Sequence, residues 1–153
     1  MADVQFSDLE STPILSDRFG LICRRDHPLG RRRVLRWADL KAHALIVPGG
    51  GSSNRPLLDA VLGPLNVQLP ALYEVQRSST AVGLAGQGLG AAIVPQLSIP
   101  PGAYPQLKLI DLVEPVVERS FVLVRRKGSA LSPAARALHE LILARVRSGV
   151  ADK

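Results

Sequence analysis

One cysteine, three phenylalanines, two tyrosines and one tryptophan are few of each for 153 residues. The lone thiol, Cys23, excludes a disulfide within the chain and a cysteine-rich zinc site. Aromatics at 4% leave few platforms on which single-stranded nucleic acid could stack. They also require a core built from Leu, Val, Ile and Ala. No apolar run approaches the roughly 20 residues of a membrane span. The first residues, with Asp3, Asp8 and Glu10, lack the basic start and apolar stretch of a secretory signal. Together these absences fit a reducing, cytoplasmic setting with no membrane partner.

What is present is ordinary for a globular protein. The length suffices for one domain with a real core, and apolar residues make up 46% against 21% charged. The formal charge is +6. Its arginines are scattered over Arg24-Arg25, Arg31-Arg32-Arg33, Arg36, Arg125-Arg126 and Arg145 with Arg147. Nucleic-acid binding needs one clustered face, so these positions read as solvated turns and strand ends.

Along the chain, residues 1–16 are polar and weakly patterned, and Pro13 argues against a helix there. A strand is expected over Phe19–Arg24, then a turn at Asp26-His27-Pro28-Leu29-Gly30, with His27 a turn residue. Trp37–Leu40 reads as one helical turn, and Ala44–Val47 as a buried strand stopped by Pro48. A helix is expected from Arg55 to Leu62, with Pro56 in its first turn, Ser53 or Asn54 as N-cap, and Gly63-Pro64 as its end. Leu72–Val75 reads as a strand, Ala81–Leu89 as a helix stopped by Gly88 and Gly90, and Ala91–Val94 as a buried strand. Strands at Leu107–Leu112 and Glu118–Arg126 follow a proline-rich loop. The last helix starts at Ser132-Pro133, with Leu138, Leu141, Ile142 and Val146 as its expected buried face. The tally is an α/β domain whose mixed sheet is mostly parallel and flanked by helices.

Two polar turns precede helices, and each follows a strand. They are Gly49-Gly50-Gly51-Ser52-Ser53-Asn54 and Arg77-Ser78-Ser79-Thr80. In one parallel sheet both would lie on the same edge, with helix N-termini directed at one crevice. Open α/β sheets bind small ligands there, and each helix dipole favours a negative charge by about 0.3–1 kcal/mol. Gly51, Ser52, Ser53, Asn54, Ser78, Ser79 and Thr80 are therefore the candidate ligand-binding residues, and an anion, most simply a carboxylate, is the expected guest. For either turn alone, capping of its own helix is the competing role.

Other chemistries find no support. Gly86-x-Gly88-x-Gly90 ends a helix and begins a strand, the reverse of a dinucleotide fingerprint. The Gly49–Asn54 turn lacks the lysine and hydroxyl pair of a phosphate-binding P-loop, and it misses the glycine of a nucleophile elbow. His27, His43 and His139 have no metal-ligand spacing, and a solvated helix position is expected for His139. No catalytic residue, metal or cofactor is expected.

Phe19-Gly-Leu-Ile-Cys-Arg-Arg-Asp-His-Pro-Leu29, Trp37-Ala-Asp-Leu40 and Leu45-Ile46 together resemble the effector-binding domain of LysR-type transcriptional regulators. So do Val82–Pro95 and the helix start Leu131-Ser-Pro-Ala-Ala135. The resemblance runs over about residues 14–147. It implies a fold of two lobes like the type 2 periplasmic binding proteins, an effector in the cleft between them, and no enzymatic activity. It maps 17–127 to the second lobe with two crossing strands, 128–153 to the final helix of an incomplete first lobe, and leaves 1–16 as a polar segment. It further implies that DNA is contacted only through a winged helix-turn-helix that this chain does not carry. The unpaired edges of an incomplete sheet lead us to expect a homo-oligomer. A periplasmic-type solute-binding lobe and a small α/β enzyme are the alternatives. The missing signal peptide and Cys23 count against the first, and the lack of a nucleophile–base pair counts against the second.

Overall fold

A computed structural model describes residues 8–150, without the side chains of 147–150. The elements are β1 (Leu9–Arg24), β2 (Val34–Arg36), β3 (Leu45–Pro48), α1 (Arg55–Leu62), β4 (Ala71–Val75), α2 (Ser78–Gly86), β5 (Ala91–Pro95), β6 (Leu107–Val113), β7 (Glu118–Arg126) and α3 (Pro133–Val150). Short 3-10 turns at Pro28–Arg31 and Trp37–Ala42 lead into β2 and β3. The described residues fall into two compact units: Asp17–Arg119, and the flanking residues 8–16 with 120–150.

In the unit Asp17–Arg119 the strand order is β2-β6-β1-β5-β3-β4. β3 lies parallel to β4 and β5, and β2 parallel to β6. β1 runs antiparallel to both β5 and β6. The sheet is therefore mixed, with its one reversed strand at the centre rather than on an edge.

Alternation along three strands divides the core between the two faces. Leu21 and Cys23 of β1, Leu45 and Val47 of β3, and Ala91 and Ile93 of β5 pack with Trp37, Leu40, Leu58 and Leu62. The intervening Ile22, Ile46, Ala92 and Val94 pack with Ala81, Val82 and Ala85. Period-2 side chains send neighbours to opposite faces, so α1 covers one face through Leu58 and Leu62 and α2 covers the other. Each such buried leucine contributes roughly 1.5–3 kcal/mol. Small side chains on α2 bring that helix close to the sheet.

The helix ends follow local chemistry. α1 begins with Pro56 near its start and gives way at Gly63 to a 3-10 turn that runs to Leu65. α2 stops where Gly88 adopts φ +78°. The Gly88 N–H reaches the Ala85 carbonyl and the Leu89 N–H reaches the Leu84 carbonyl, the paired bonds of a Schellman stop.

The flanking unit departs from expectation at two places. β1 starts at Leu9 and passes through Pro13, where no element was expected. Proline removes only one donor and is tolerated where that donor has no ladder to join. β7 pairs with β1, and the Lys127 N–H donates to the Asp8 carbonyl. The second departure concerns α3. Ser132 caps it, its Oγ accepting from the Ala135 N–H at 3.3 Å. Yet Leu138 and Leu141, expected to be buried, are 58% and 67% exposed. Among the described residues of this unit only the narrow ribbon of β1 and β7 is available, and two strands cannot cover a full helical face.

Candidate functional site

β3 and β4 are adjacent and parallel, with Ile46 opposite Tyr73 and Pro48 opposite Val75. Their carboxyl ends are therefore level, and the turns that follow them lie side by side. The Gly49 N–H donates to the Val75 carbonyl at 2.9 Å and ties one turn to the other strand. The first turn then folds on itself through Ser52 N–H to Gly49 carbonyl (2.9 Å) and Arg55 N–H to Ser52 carbonyl (3.1 Å). Gly51 passes directly under the Gln76 carboxamide, where a β-carbon would meet Oε1 at 2.3 Å.

Between the turns is a small depression lined by Pro48, Ser52, Asn54, Arg77, Ser78 and Ile93, among others. Its volume is about 10 Å³, which is at the lower limit for a single water. A ligand would sit on its mouth rather than inside it. The depression brings together three of the expected residues, Ser52, Asn54 and Ser78, and adds Arg77. Ser52 is 6% exposed, and Asn54 and Ser78 are half-buried. Gly51, Ser53, Ser79 and Thr80 are exposed and do not line it.

The capping expectation fails at α1. Neither Ser53 nor Asn54 accepts a capping bond on its side chain: Asn54 occupies the N-cap position with right-handed helical dihedrals (φ −81°, ψ −26°) and no side-chain cap bond. An N-cap side chain reaches back only from an extended backbone. Ser52 instead accepts from the Asn54 N–H at 3.3 Å. At α2 the N-cap is Arg77, extended at φ −121° and ψ 137°, again with no side-chain bond. Ser78, Ser79 and Thr80 lie inside the first turn. Their hydroxyls are therefore not committed to capping, and the N–H groups of that turn point along the helix axis without intrahelical acceptors.

Two residues absent from the sequence-level candidates complete the surroundings. Asp17 of β1 is buried, and its carboxylate accepts from Arg119 Nε at 3.0 Å and Nη2 at 2.8 Å. The Leu97 N–H adds a third bond at 2.9 Å. Arg119 Nη1 then donates to Asn54 Oδ1 at 3.2 Å. No local signal could reveal this chain of bonds, because Asp17 and Arg119 are 102 positions apart.

Cys23 is buried, and burial pushes its thiol up to about 11 against a small opposing effect of Lys108. His27 Nδ1 accepts from the Leu29 N–H at 3.1 Å, and burial followed by the neighbouring His43 holds the ring below its usual value. His139, expected to be solvated, is half-buried on α3. Among the described residues no group of three or more His, Cys, Asp or Glu side chains could hold a metal ion, and no helix is long and apolar enough to cross a membrane.

The family described as LysR substrate binding domain matches residues 1–147. The uncharacterised HTH-type transcriptional regulator YbhD of Escherichia coli (strain K12) is 37% identical over 143 residues, covering 94% of this chain and 45% of that protein. The uncharacterised HTH-type regulator YfeR of Shigella flexneri is 35% identical over 136 residues, covering 88% and 44%. The chain thus spans less than half the length of these relatives. Among solved structures, the effector binding domain of QuiR in complex with shikimate superposes with a TM-score of 0.76 at 24% identity, covering 96% of this chain and 69% of that one. The regulatory domain of Synechocystis PCC6803 CcmR in complex with 2-PG gives 0.77 at 22% identity, covering 95% and 71%. At these identities the superpositions establish the fold.

Proposed function

We propose that this chain, which belongs to the LysR substrate-binding-domain family, senses a small anionic effector at the paired turns Gly51–Asn54 and Ser78–Thr80. The observation that supports this most is the level, parallel pairing of β3 with β4. It sets two helix starts side by side, with the Ser78 hydroxyl outside the capping bonds and Arg77 at their common mouth. Such a surface is rich in N–H and O–H donors and carries positive charge, which suits carboxylates and phosphates. The neighbours' ligands, shikimate and 2-phosphoglycolate, carry those groups.

Within the whole protein the unit Asp17–Arg119 would serve as the second lobe of the effector domain. The flanking residues would belong to the first. Effector binding would then shift the equilibrium of a regulator that contacts DNA through a separate domain, by a coupling of typically 1–3 kcal/mol. The protein would act in the cytoplasm as a homo-oligomer and would not be an enzyme. Exposed Leu72 and Tyr73 on the edge strand β4, and Leu138 and Leu141 on α3, support self-association.

The test is a titration of the isotopically labelled chain with shikimate, 2-phosphoglycolate and a panel of small carboxylates. Amide shifts concentrated at Ser52–Asn54 and Ser78–Thr80 are expected. Shifts confined to other residues across the whole panel would refute the site.

A further inference from the structure

Asp17 and Ser52 are the only buried polar or charged residues among those described. Both lead to Asn54. The Ser52 hydroxyl oxygen holds the Asn54 backbone N–H, and Asp17 acts at one remove through Arg119.

A carboxamide carries an acceptor on one branch and two donors on the other. The orientation of an asparagine is set by its hydrogen-bond network. Here the acceptor branch is occupied, because Arg119 Nη1 donates to Asn54 Oδ1 at 3.2 Å. An arginine has no acceptor, so the reverse orientation would set an NH2 group against a guanidinium and forfeit the bond. Asp17 fixes the arginine in turn. Its side chain has no exposed surface, and it grips the Nε and Nη2 edge while the Leu97 backbone holds its other oxygen. The guanidinium is planar and rigid. Gripping two of its nitrogens leaves Nη1 at a defined position, on the Asn54 oxygen.

We infer that Arg119, held by Asp17, is a positioning and specificity-determining residue of the effector site: it locks Asn54 with its NH2 group toward the ligand, so that this position offers donors and no acceptor and favours carboxylate or phosphate over amines. The inference rests on the proposed effector site and deepens it. It assigns to Arg119 a role other than that of a counter-charge. Asp17 compensates the arginine's charge locally, and the arginine's work is done through the asparagine.

Three variants of the full 153-residue chain separate these roles, with 2-phosphoglycolate, shikimate and putrescine as probes. Arg119→Lys keeps the charge but cannot hold Asp17 by two nitrogens and Asn54 by a third. It is expected to bind either anion about tenfold more weakly, the worth of one charge-assisted hydrogen bond. Asn54→Asp keeps, and strengthens, the bond to Arg119 while replacing the donor branch by an acceptor. It is expected to fold at least as well as the parent and to lose anion binding by at least the same factor. Asn54→Gln, whose longer arm keeps both branches, is expected to recover part of the affinity. In the parent, the side-chain NH2 resonances of Asn54 are expected to move on anion addition and to stay fixed with putrescine.

Anion shifts at Ser52–Asn54 and Ser78–Thr80 that persist at parental affinity in Arg119→Lys and Asn54→Asp would overturn this inference and leave the effector site standing. Anion shifts confined to other parts of the chain would overturn both. Should Arg119→Lys fail to fold, the Asn54→Asp measurement decides alone, with unchanged anion affinity counting against the inference.

Discussion

A β-carbon on Gly90 would stand 2.8 Å from the carbonyl oxygen of Ala44. The same carbonyl accepts the Ala91 N–H at 3.1 Å, so β5 enters the sheet with its first residue pressed against the residue before β3. Gly90 also holds φ at +149°, a backbone state that residues with a side chain rarely adopt. Gly90→Ala is expected to destabilise the fold by about 1–3 kcal/mol. Gly83, in the middle of α2, has open space around it, so Gly83→Ala is expected to stabilise by about 0.5–1 kcal/mol. Urea midpoints of the two variants should move in opposite directions; a shift of the same sign would contradict the geometry.

Trp37 is fully buried, and its indole Nε1 donates to the Pro115 carbonyl at 2.8 Å. Trp37→Phe keeps an aromatic ring but removes the donor and part of the volume. An expected loss of about 1–3 kcal/mol follows from the carbonyl left without its partner. Far-UV circular dichroism in urea would measure it, and a midpoint equal to the parent's would show that this bond contributes nothing.

Acid should weaken the fold through His27. Its Nδ1 accepts the Leu29 N–H, which requires that nitrogen to carry no proton. Burial and then His43 depress the folded-state value below the ordinary 6.5, opposed by Asp26. A depressed value means that the folded state favours the neutral ring. Its contribution is complete above about pH 6.5 and is lost as pH falls toward the folded value. His27→Asn keeps an oxygen acceptor at the cap and cannot titrate. The parent is expected to lose more stability between pH 7.5 and 5.5 than His27→Asn; equal slopes would remove His27 from the explanation.

The Cys23 thiol should resist alkylation in the folded chain. With its value raised from 9.0 to about 11, chiefly by burial, the reactive thiolate fraction near pH 8 falls about a hundredfold. Burial denies access as well. Iodoacetamide labelling should be slow in buffer and rapid in denaturant. Equal rates in both would place the thiol outside the core.

Where residues speak through their immediate neighbours, the chain was readable. Pro56 and Gly63 bound α1 at the expected residues, and Gly88 stopped α2 by a local backbone conformation. The unbroken apolar runs at Ala44–Val47 and Ala91–Val94 marked buried strands. The pairing of the two turns followed once β3 and β4 were read as parallel. What escaped were relations across the chain. Asp17 and Arg119 meet only because β1 and β7 bring them together, and neither has a local pattern. The caps failed for a geometric reason: Asn54 resembles an N-cap in sequence, yet its helical dihedrals and Arg119 direct its side chain elsewhere. The exposure of Leu138 and Leu141 was hidden because a helical apolar stripe shows that a face seeks cover without showing what supplies it.

The central position of β1 has a mechanical consequence. Gly20, Leu21 and Ile22 are paired on both sides, to Val94, Ile93 and Ala92 of β5 and to Asp111, Ile110 and Leu109 of β6. Force applied along residues 9–16 would be delivered to these rungs in shear, where bonds must break together, rather than by peeling, where they break in turn. Their amides should be the last to exchange with solvent, and the strand should yield only when the whole sheet does.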